Sequence, residues 1–566
     1  MNTINGARIL LECLKRAGVS DMFGYPGGAV IPLYDEIYDF EGITHYHVRH
    51  EQGAAHAADA YARATGKLGV CLATSGPGAT NLVTGIMTAH MDSVPMLAIT
   101  GQVSLSVLGR DAFQESDVVG ITMPITKHNY LVKDIKDLPK IVREAIHLAT
   151  TGRPGPVLID IPKNIQIETI AYSEFEALYK EELNMKSYQP KYFGHPRQIK
   201  MAAKAITEAK KPIIIAGAGV IKSQASELLQ ELAEKAQIPV TMTLLGLGSI
   251  PNLHSLSLEM LGMHGTTYAN YAVNEADLVI GIGMRFDDRI TGDTSKFCPN
   301  ARVIHIDIDP AEISKNINAD IPIVGDVKNV LIELLKEVKA KKNPEWIELI
   351  NKWKNDYALE YNRVDGQIKP QQAIEAISKI TEGNAVIITD VGQHQMWTAQ
   401  YYKFNKAGNF CSSGGAGTMG FGVPAGFGAQ IARPNDKVIS IVGDGGFQMT
   451  SQELMTIMQY KAPVKTIILN NGFLGMVRQW QEIFHKKRYS SVDLSMNPDF
   501  IKLGEAYGMN SLKITHPDEL YTKLKDAILN DEPALIEIVI TKDDNVFPMI
   551  PAGKSVEDLI GKKGEL

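Results

Sequence analysis

Apolar residues along this chain fall into two alternating patterns. One is a short, nearly unbroken run rich in valine and isoleucine and closed by glycine, proline or charge. "DMFGY", "LGVCLATS", "PMLAITG" and "PGPVLIDIP" stand in the first third, "KKPIIIAG", "IPVTMTLLG", "ADLVIGIG" and "ARVIHIDIDP" in the middle, and "NAVIITDVG", "KVISIVGDGG", "VKTIILNNG" and "ALIEIVIT" in the last. Runs of this length predict strands buried on both faces. The other pattern spaces apolar residues by three and four, as over 4–17, in "EQGAAHAADAYARAT" and in "MTSQELMTIMQ", and predicts helices. Strands alternating with helices in this way predict mostly parallel sheets flanked by helices.

The alternation breaks at "YKEELNMKSYQPKYFGHP" (179–196), which reads as a linker, and again after Lys-rich helices at 328–360. The expected fold class is therefore α/β in three domains, each with a mostly parallel sheet flanked by helices, over 1–180, 190–350 and 368–566. A chain of 566 residues needs more than one core, so the length agrees.

Charge narrows the partners. The 64 acidic and 57 basic residues are interspersed and leave a net charge of -7, so no basic field is available for a nucleic-acid backbone. Cys13, Cys71, Cys298 and Cys411 are isolated and form no ligand cluster, as expected of buried thiols in a reducing compartment. The N-terminal segment is amphipathic and carries Glu12, unlike a secretory leader, and every apolar run is far shorter than the roughly 20 residues a bilayer requires. A cytoplasmic protein without a membrane partner is expected.

"IVGDGGFQMT" (441–450) places Asp444 on what reads as an exposed Gly-rich turn after a strand. The next strand ends at Asn470-Asn471, and successive parallel strands deliver their ends to one sheet edge. Asp444, Asn471 and the Phe473 carbonyl would then offer hard oxygen ligands of the kind Mg²⁺ accepts alongside phosphates and water. Gly443, Gly445 and Gly446 would admit a diphosphate near a helix start. A strand-capping Asp and an Asn-Gly turn explain the same residues equally well locally. Glu51 opens the Ala-rich helix: the helix dipole alone favours it there, and a carboxylate among Gly53, Ala54 and Ala55 is also placed to share a proton with a ring nitrogen. His45, His47 and His50 lack zinc spacing and read as polar framework.

Ten stretches in chain order carry a resemblance: "FGYPGGAVIPLYD", "RHEQGAAHAADAYAR", "TSGPGATNLVTGI", "DAFQE", "RPGPVLIDIPK", "LGMHGT", "RFDDR", "DVGQHQMW", "GTMGFG" and "GMVRQWQE". Over about residues 4–555 the chain resembles the thiamine-diphosphate-dependent 2-oxo-acid decarboxylases and carboligases, and within them the acetohydroxyacid synthase branch. The resemblance implies a pyrimidine-binding first domain, an FAD-binding-like central domain and a diphosphate- and Mg²⁺-binding last domain. The implied cofactors are thiamine diphosphate, Mg²⁺ and FAD in a non-redox role. The implied assembly is a homodimer or tetramer with shared active sites, in which Glu51 of one copy serves cofactor held by Asp444 of another. A small regulatory subunit is a further partner of such chains.

By the same resemblance Glu51 bonds the cofactor's pyrimidine and Met419 sits under its rings. Val391, Gly392, Gln393, His394, Gly443, Gly445 and Gly446 surround the diphosphate, and Asp444, Asn471 and Phe473 hold the metal. Gln114, Lys163 and Met476 stand with the catalytic set. Gly28, Ala29, Phe113, Arg289 and Trp480 line the substrates, the arginine at a carboxylate and the tryptophan at an alkyl tail. Arg153, Gly217, Gly219, Gly262, His264, Arg285, Asp307 and Asp326 are the implied flavin contacts. The implied reaction decarboxylates pyruvate and joins the two-carbon unit to a second pyruvate or to 2-oxobutyrate, the first common step of branched-chain amino-acid biosynthesis. Pyruvate oxidase and catabolic acetolactate synthase, of the same family, are the alternatives; "RFDDR" and Trp480 count against the oxidase.

Overall fold

A computed structural model describes residues 3–562. Three six-stranded parallel sheets form, one per unit. After β1 (Thr3–Asn5), the first contains β2 (Asp21–Gly24), β3 (Thr44–His47), β4 (Gly69–Ala73), β5 (Met96–Gln102), β6 (His128–Leu131) and β7 (Pro156–Pro162), in the order β3-β2-β4-β5-β7-β6. β8 (Thr169–Ala171) pairs antiparallel with β1 and ties the unit's end to its start. The central sheet holds β9 (Pro212–Ala216), β10 (Val240–Met242), β11 (Ser257–Met260), β12 (Leu278–Ile282), β13 (Arg302–Asp307) and β14 (Ile321–Val324), ordered β11-β10-β9-β12-β13-β14. The last holds β15 (Val386–Thr389), β16 (Phe410–Ser412), β17 (Val438–Gly443), β18 (Lys465–Asn470), β19 (Asn510–Ile514) and β20 (Ala534–Val539), ordered β16-β15-β17-β18-β20-β19. The first and last units thus share one strand order and the central unit has another.

The four inner strands of every sheet are the apolar runs read from the sequence. The outer ones β6, β11, β14, β16 and β19 are not, whereas β3 is the short strand whose charged end, "HVRHE", leads into the Ala-rich helix. An edge strand has one neighbour and needs fewer apolar residues, as "THYH", "HNYL" and "NSLKI" illustrate. The helix expected over 4–17 spans Gly6–Arg16, because the Asn5 side chain accepts the Arg8 N–H at 2.8 Å and fixes the start.

The first and last units meet along the helices Glu51–Thr65 and Gly422–Ala432. Gly428 faces the Ala57 carbonyl so closely that any Cβ would collide with it, and Phe427 packs edge-on against Phe23 at 6.0 Å. The central and last units share a core that includes Leu247, Ile250, Trp397 and Phe404. Among the described residues no helix is long and apolar enough to cross a membrane.

Candidate active site

β15, β17 and β18 lie side by side, with Thr389 opposite Ile441 and Gly443 opposite Leu469, so the segments leaving their C-terminal ends share one edge. Val391, Gly392, Gln393, His394, Gly443, Asp444, Gly445, Gly446, Asn471 and Phe473 meet there with Met419 and Met476 around a cavity of about 60 Å³. The structure therefore gathers the residues assigned to the diphosphate and its metal into one cradle. Asp444 is not exposed on a turn: it is 1% exposed and opens the helix Asp444–Thr450, so Gly445 and Gly446 are helical. Burial pushes its carboxyl up to about 6, and its Oδ2 accepts from Asn497 Nδ2 at 2.7 Å. Asn471 donates to Gln393 Oε1 at 3.3 Å, and Gln393 in turn donates to Gln479 Oε1 at 2.9 Å.

The cradle fits a diphosphate on three counts. His394 is buried with Nε2 lacking a partner in the protein, and burial lowers its imidazole to about 4, so the ring is neutral near pH 7. A Cβ on Gly443 would stand 2.9 Å from His394 Nδ1, and one on Gly445 2.6 Å from Leu474 Cδ2, so only glycine leaves the space open. Gly392, at φ 148°, turns the chain into the N-terminus of the helix Gln393–Tyr401.

A second group collects at the corresponding edge of the first sheet. Glu51 opens its helix with His50 as cap, is buried, and accepts from Asn81 Nδ2 at 3.0 Å. A Cβ on Gly78 would lie 3.2 Å from Glu51 Oε1, and Gln114, at φ 60°, folds over Gly76. Gly28 and Ala29 follow β2, with the Ala29 N–H donating to Thr74 Oγ1 at 3.2 Å, and Lys163 follows β7. Phe113 stands 88% exposed. No residue of this first unit lines the cradle, so within one chain Glu51 and Asp444 belong to separate half-sites. Arg289 and Trp480 do not line it either: Arg289 is exposed with Asp288 at 3.6 Å, and Trp480 packs tilted against Phe484 with ring centroids 5.1 Å apart. Of the three framework histidines, His45 bonds Tyr34 at 2.9 Å and the His47 N–H donates to Tyr460 at 2.7 Å, as a polar framework requires.

Several positioning groups received no role from the sequence, although Asn81 stands within "TSGPGATNLVTGI". Asn81 and Asn497 hold Glu51 and Asp444, and Glu453 accepts the Arg49 N–H at 3.1 and 3.2 Å, just ahead of Glu51. Asp160 accepts from Thr100 at 2.7 Å and from Gln102 at 2.9 Å, and Gln102 also donates to the Ser116 carbonyl at 2.8 Å, anchoring the loop that carries Gln114. Burial raises the Asp160 carboxyl from 3.8 to about 7. The folded state therefore holds this proton more tightly than the unfolded chain. That contribution is complete below about pH 4 and is lost as pH rises through 7. Urea unfolding at pH 5 and pH 8 is expected to show wild type losing roughly 2–3 kcal/mol relative to Asp160→Asn across that interval; a pH-independent difference would contradict the assignment.

A cleft of about 340 Å³ between the units is lined by Arg153, Gly219, Arg285, Asp307 and Asp326, whereas Gly217, Gly262 and His264 lie outside its lining. Arg153 pairs with Asp309 at 3.1 Å and Glu312 at 2.7 Å. Asp307 accepts the Asp309 N–H at 2.9 Å, and Asp326 caps the helix Val327–Glu337 while accepting from Ser223 at 2.7 Å. Gly217 and Gly219 make room for Gly283, and Gly262, at φ 94°, abuts the Arg289 carbonyl. His264 is buried, and its carbonyl accepts from Gln400 at 2.9 Å.

Three family profiles match the chain: the N-terminal TPP binding domain of thiamine pyrophosphate enzymes over residues 4–121, their central domain over 199–334, and their C-terminal TPP binding domain over 390–538. The acetolactate synthase large subunit of Haemophilus influenzae is 48% identical over 570 residues, spanning 100% of this chain and 99% of the relative. The probable acetolactate synthase large subunit of Methanocaldococcus jannaschii is 50% identical over 566 residues, 98% and 95% of the two chains. That of Lactococcus lactis is 48% identical over 558 residues, 98% and 96%.

Two expectations are corrected. The flavin expectation falls: the matching descriptions name thiamine pyrophosphate and no flavin, and the residues assigned to FAD serve instead as ion pairs, caps and close-packed turns. The metal-binding expectation falls as a protein-built centre. Among the described residues no group of three or more His, Cys, Asp or Glu is able to hold a metal ion, and Asp444 is the one carboxylate in the cradle's lining.

Proposed function

From a chain that belongs to the thiamine pyrophosphate enzymes, among their acetolactate synthase large subunits, we infer how two half-sites perform that family's reaction. The chain is an acetolactate synthase: it decarboxylates pyruvate and joins the two-carbon unit to a second pyruvate, giving 2-acetolactate, with thiamine diphosphate and Mg²⁺. When bound, the cofactor supplies the electron sink that the departing carboxylate requires. The remaining steps fall to side chains.

The observation that carries the reading is the cradle, where twelve assigned residues converge and a buried His394 Nε2 waits for a partner. Asp444, Asn471 and the Phe473 carbonyl would hold Mg²⁺, which would supply positive charge to the diphosphate, since the protein alone supplies too few ligands for a closed metal centre. Gln393 and His394 would bond the diphosphate oxygens. Met419 and Met476 wall the rings and exclude water from the reacting carbon. Glu51, fixed by Asn81, holds and returns a proton at the pyrimidine nitrogen.

Because no residue of the first unit, Glu51 included, lines it, the cradle is one wall of a site whose other wall is the first unit of a second copy. A homodimer is the smallest assembly that contains a whole site, and a tetramer would repeat it. Gln114, Lys163, Gly28, Ala29 and Phe113 would line the substrate side from that second copy. Arg289, whose exposed guanidinium has donors to spare beyond Asp288, would grip the carboxylate of the second 2-oxo acid, and Trp480 its alkyl tail, extending the reaction to 2-oxobutyrate. The relatives' name, large subunit, supports a small partner subunit for this chain as well. Four free, buried cysteines agree with work in the cytoplasm.

The test is stoichiometric. Purified chain given pyruvate, thiamine diphosphate and Mg²⁺ should release one CO₂ for each 2-acetolactate formed, and omission of either cofactor should abolish both. Acetaldehyde as the main product, or equal rates without Mg²⁺, would overturn the reading.

A further inference from the structure

Met419 stands in a segment that ought to be loose. "SGGAGTMG", Ser413–Gly420, joins β16 to the helix Gly422–Ala432 and contains four glycines, so its backbone loses much conformational freedom on ordering. The Met419 thioether offers only a weak acceptor to hold itself in place. The segment is nevertheless tied at both ends by two buried carboxylates from different units.

At its head, Asp92 of the first unit accepts the Gly414 N–H at 2.9 Å and the Gly415 N–H at 2.7 Å. Asp92 is itself paired with Arg63 at 2.9 Å, and Arg63 with Asp59 at 2.5 Å. Its backbone carbonyl takes the Lys222 ammonium of the central unit, so all three units converge on this residue. On the helix Val83–Met91, which Asp92 caps, Thr88 shares a hydroxyl bond of 2.7 Å with Thr418, the neighbour of Met419. At the tail, Asp390 accepts the Gly420 N–H at 3.0 Å and the Gly422 N–H at 2.9 Å. The same carboxylate accepts the Val391 N–H at 2.8 Å and abuts Gly446. It therefore touches three of the segments that frame the cradle, those holding Val391, Met419 and Gly446.

We propose that Asp92 and Asp390 are positioning residues that clamp the 413–422 strap at its two ends and so fix where Met419 enters the cradle. The proposal rests on the assignment of Met419 to the cofactor site above. Neither carboxylate lines the cradle, so neither is a catalytic residue. Each acts through strap backbone, where hydrogen bonds to a charged acceptor are among the stronger ones a protein makes.

Two readouts separate the clamp from the site reading. Amide exchange of cofactor-free protein, read by mass spectrometry of peptides covering 413–422, should quicken about tenfold in Asp390→Asn near the tail and in Asp92→Asn near the head, with a control peptide over 199–206 unchanged. In the loaded enzyme, each variant should lower kcat about tenfold with the KM for pyruvate held within about twofold, and in combination with Met419→Ala should lose little beyond Met419→Ala alone. Unchanged exchange, or losses that multiply in the double variants, would overturn the clamp. If Met419→Ala keeps full turnover, the role given to Met419 is at fault, and exchange alone decides the clamp. Thr88→Val, which removes one hydroxyl bond and no charge, takes the place of a carboxylate variant that fails to fold; exchange at 418 faster by about threefold supports the clamp, and none refutes it.

Discussion

Glu51→Gln is expected to lower turnover by about a thousandfold while thiamine diphosphate and Mg²⁺ remain bound, the span general acid-base catalysis covers. The substitution keeps the shape of the side chain and leaves the amide oxygen able to accept from Asn81, which bonds Glu51 Oε2 at 3.0 Å. The helix start is also preserved, since His50 is the cap. What disappears is the group that exchanges a proton with the cofactor ring. Because the cradle lies on another unit and has no contribution from Glu51, cofactor affinity should stay within about threefold. Initial rates of 2-acetolactate formation and a calorimetric titration with thiamine diphosphate measure the two quantities separately. A variant that keeps more than about a tenth of wild-type turnover would remove Glu51 from the proton path.

Asp444→Ala is expected to do the opposite: cofactor retention fails first, and activity with it. The carboxylate is 1% exposed and its pKa is raised by burial to about 6, a cost that the folded chain bears with only Asn497 as a side-chain donor. A divalent cation between it and a diphosphate offsets that cost, which is the physical reason for keeping a charge there. Loss of the one carboxylate in the lining should weaken thiamine diphosphate binding at millimolar Mg²⁺ by about 100-fold or more, some 3 kcal/mol. Binding within about threefold of wild type would show that the cation is held elsewhere. Circular dichroism should remain native, since the alanine continues the helix Asp444–Thr450.

The inner strands of all three sheets were legible because burial on both faces forces a continuous apolar run. Five of the six edges were not, because a strand such as His128–Leu131 satisfies one neighbour with mostly polar residues. The cradle was legible for the same topological reason: Asp444 and Asn471 end adjacent parallel strands, so spacing along the chain became proximity. Its exposure was misread, since Gly445 and Gly446 look like a turn in sequence and are helical in the fold. The flavin expectation failed where sequence motifs and structural duty coincide: Asp326 caps a helix and Arg153 closes an ion pair whatever else a cleft contains. Of the groups that set the geometry, Asn81 and Asp390 stand inside motif stretches that assign them no role, and Asn497, Glu453 and Asp92 stand outside them; all act through contacts across 30 to 404 positions, which no local pattern records.

The claim that everything else depends on is that a working site joins Glu51 of one copy to Asp444 of another. Chains carrying Glu51→Gln and chains carrying Asp444→Ala should each be nearly inactive alone. Co-expressed in equal amounts and paired at random, half of the dimers contain one of each, and each such dimer has one intact site. The mixture should therefore form 2-acetolactate at about a quarter of the wild-type rate per chain. A mixture no more active than the average of the two variants, with mixed dimers shown to be present, would place both residues in the same chain's site and contradict the account.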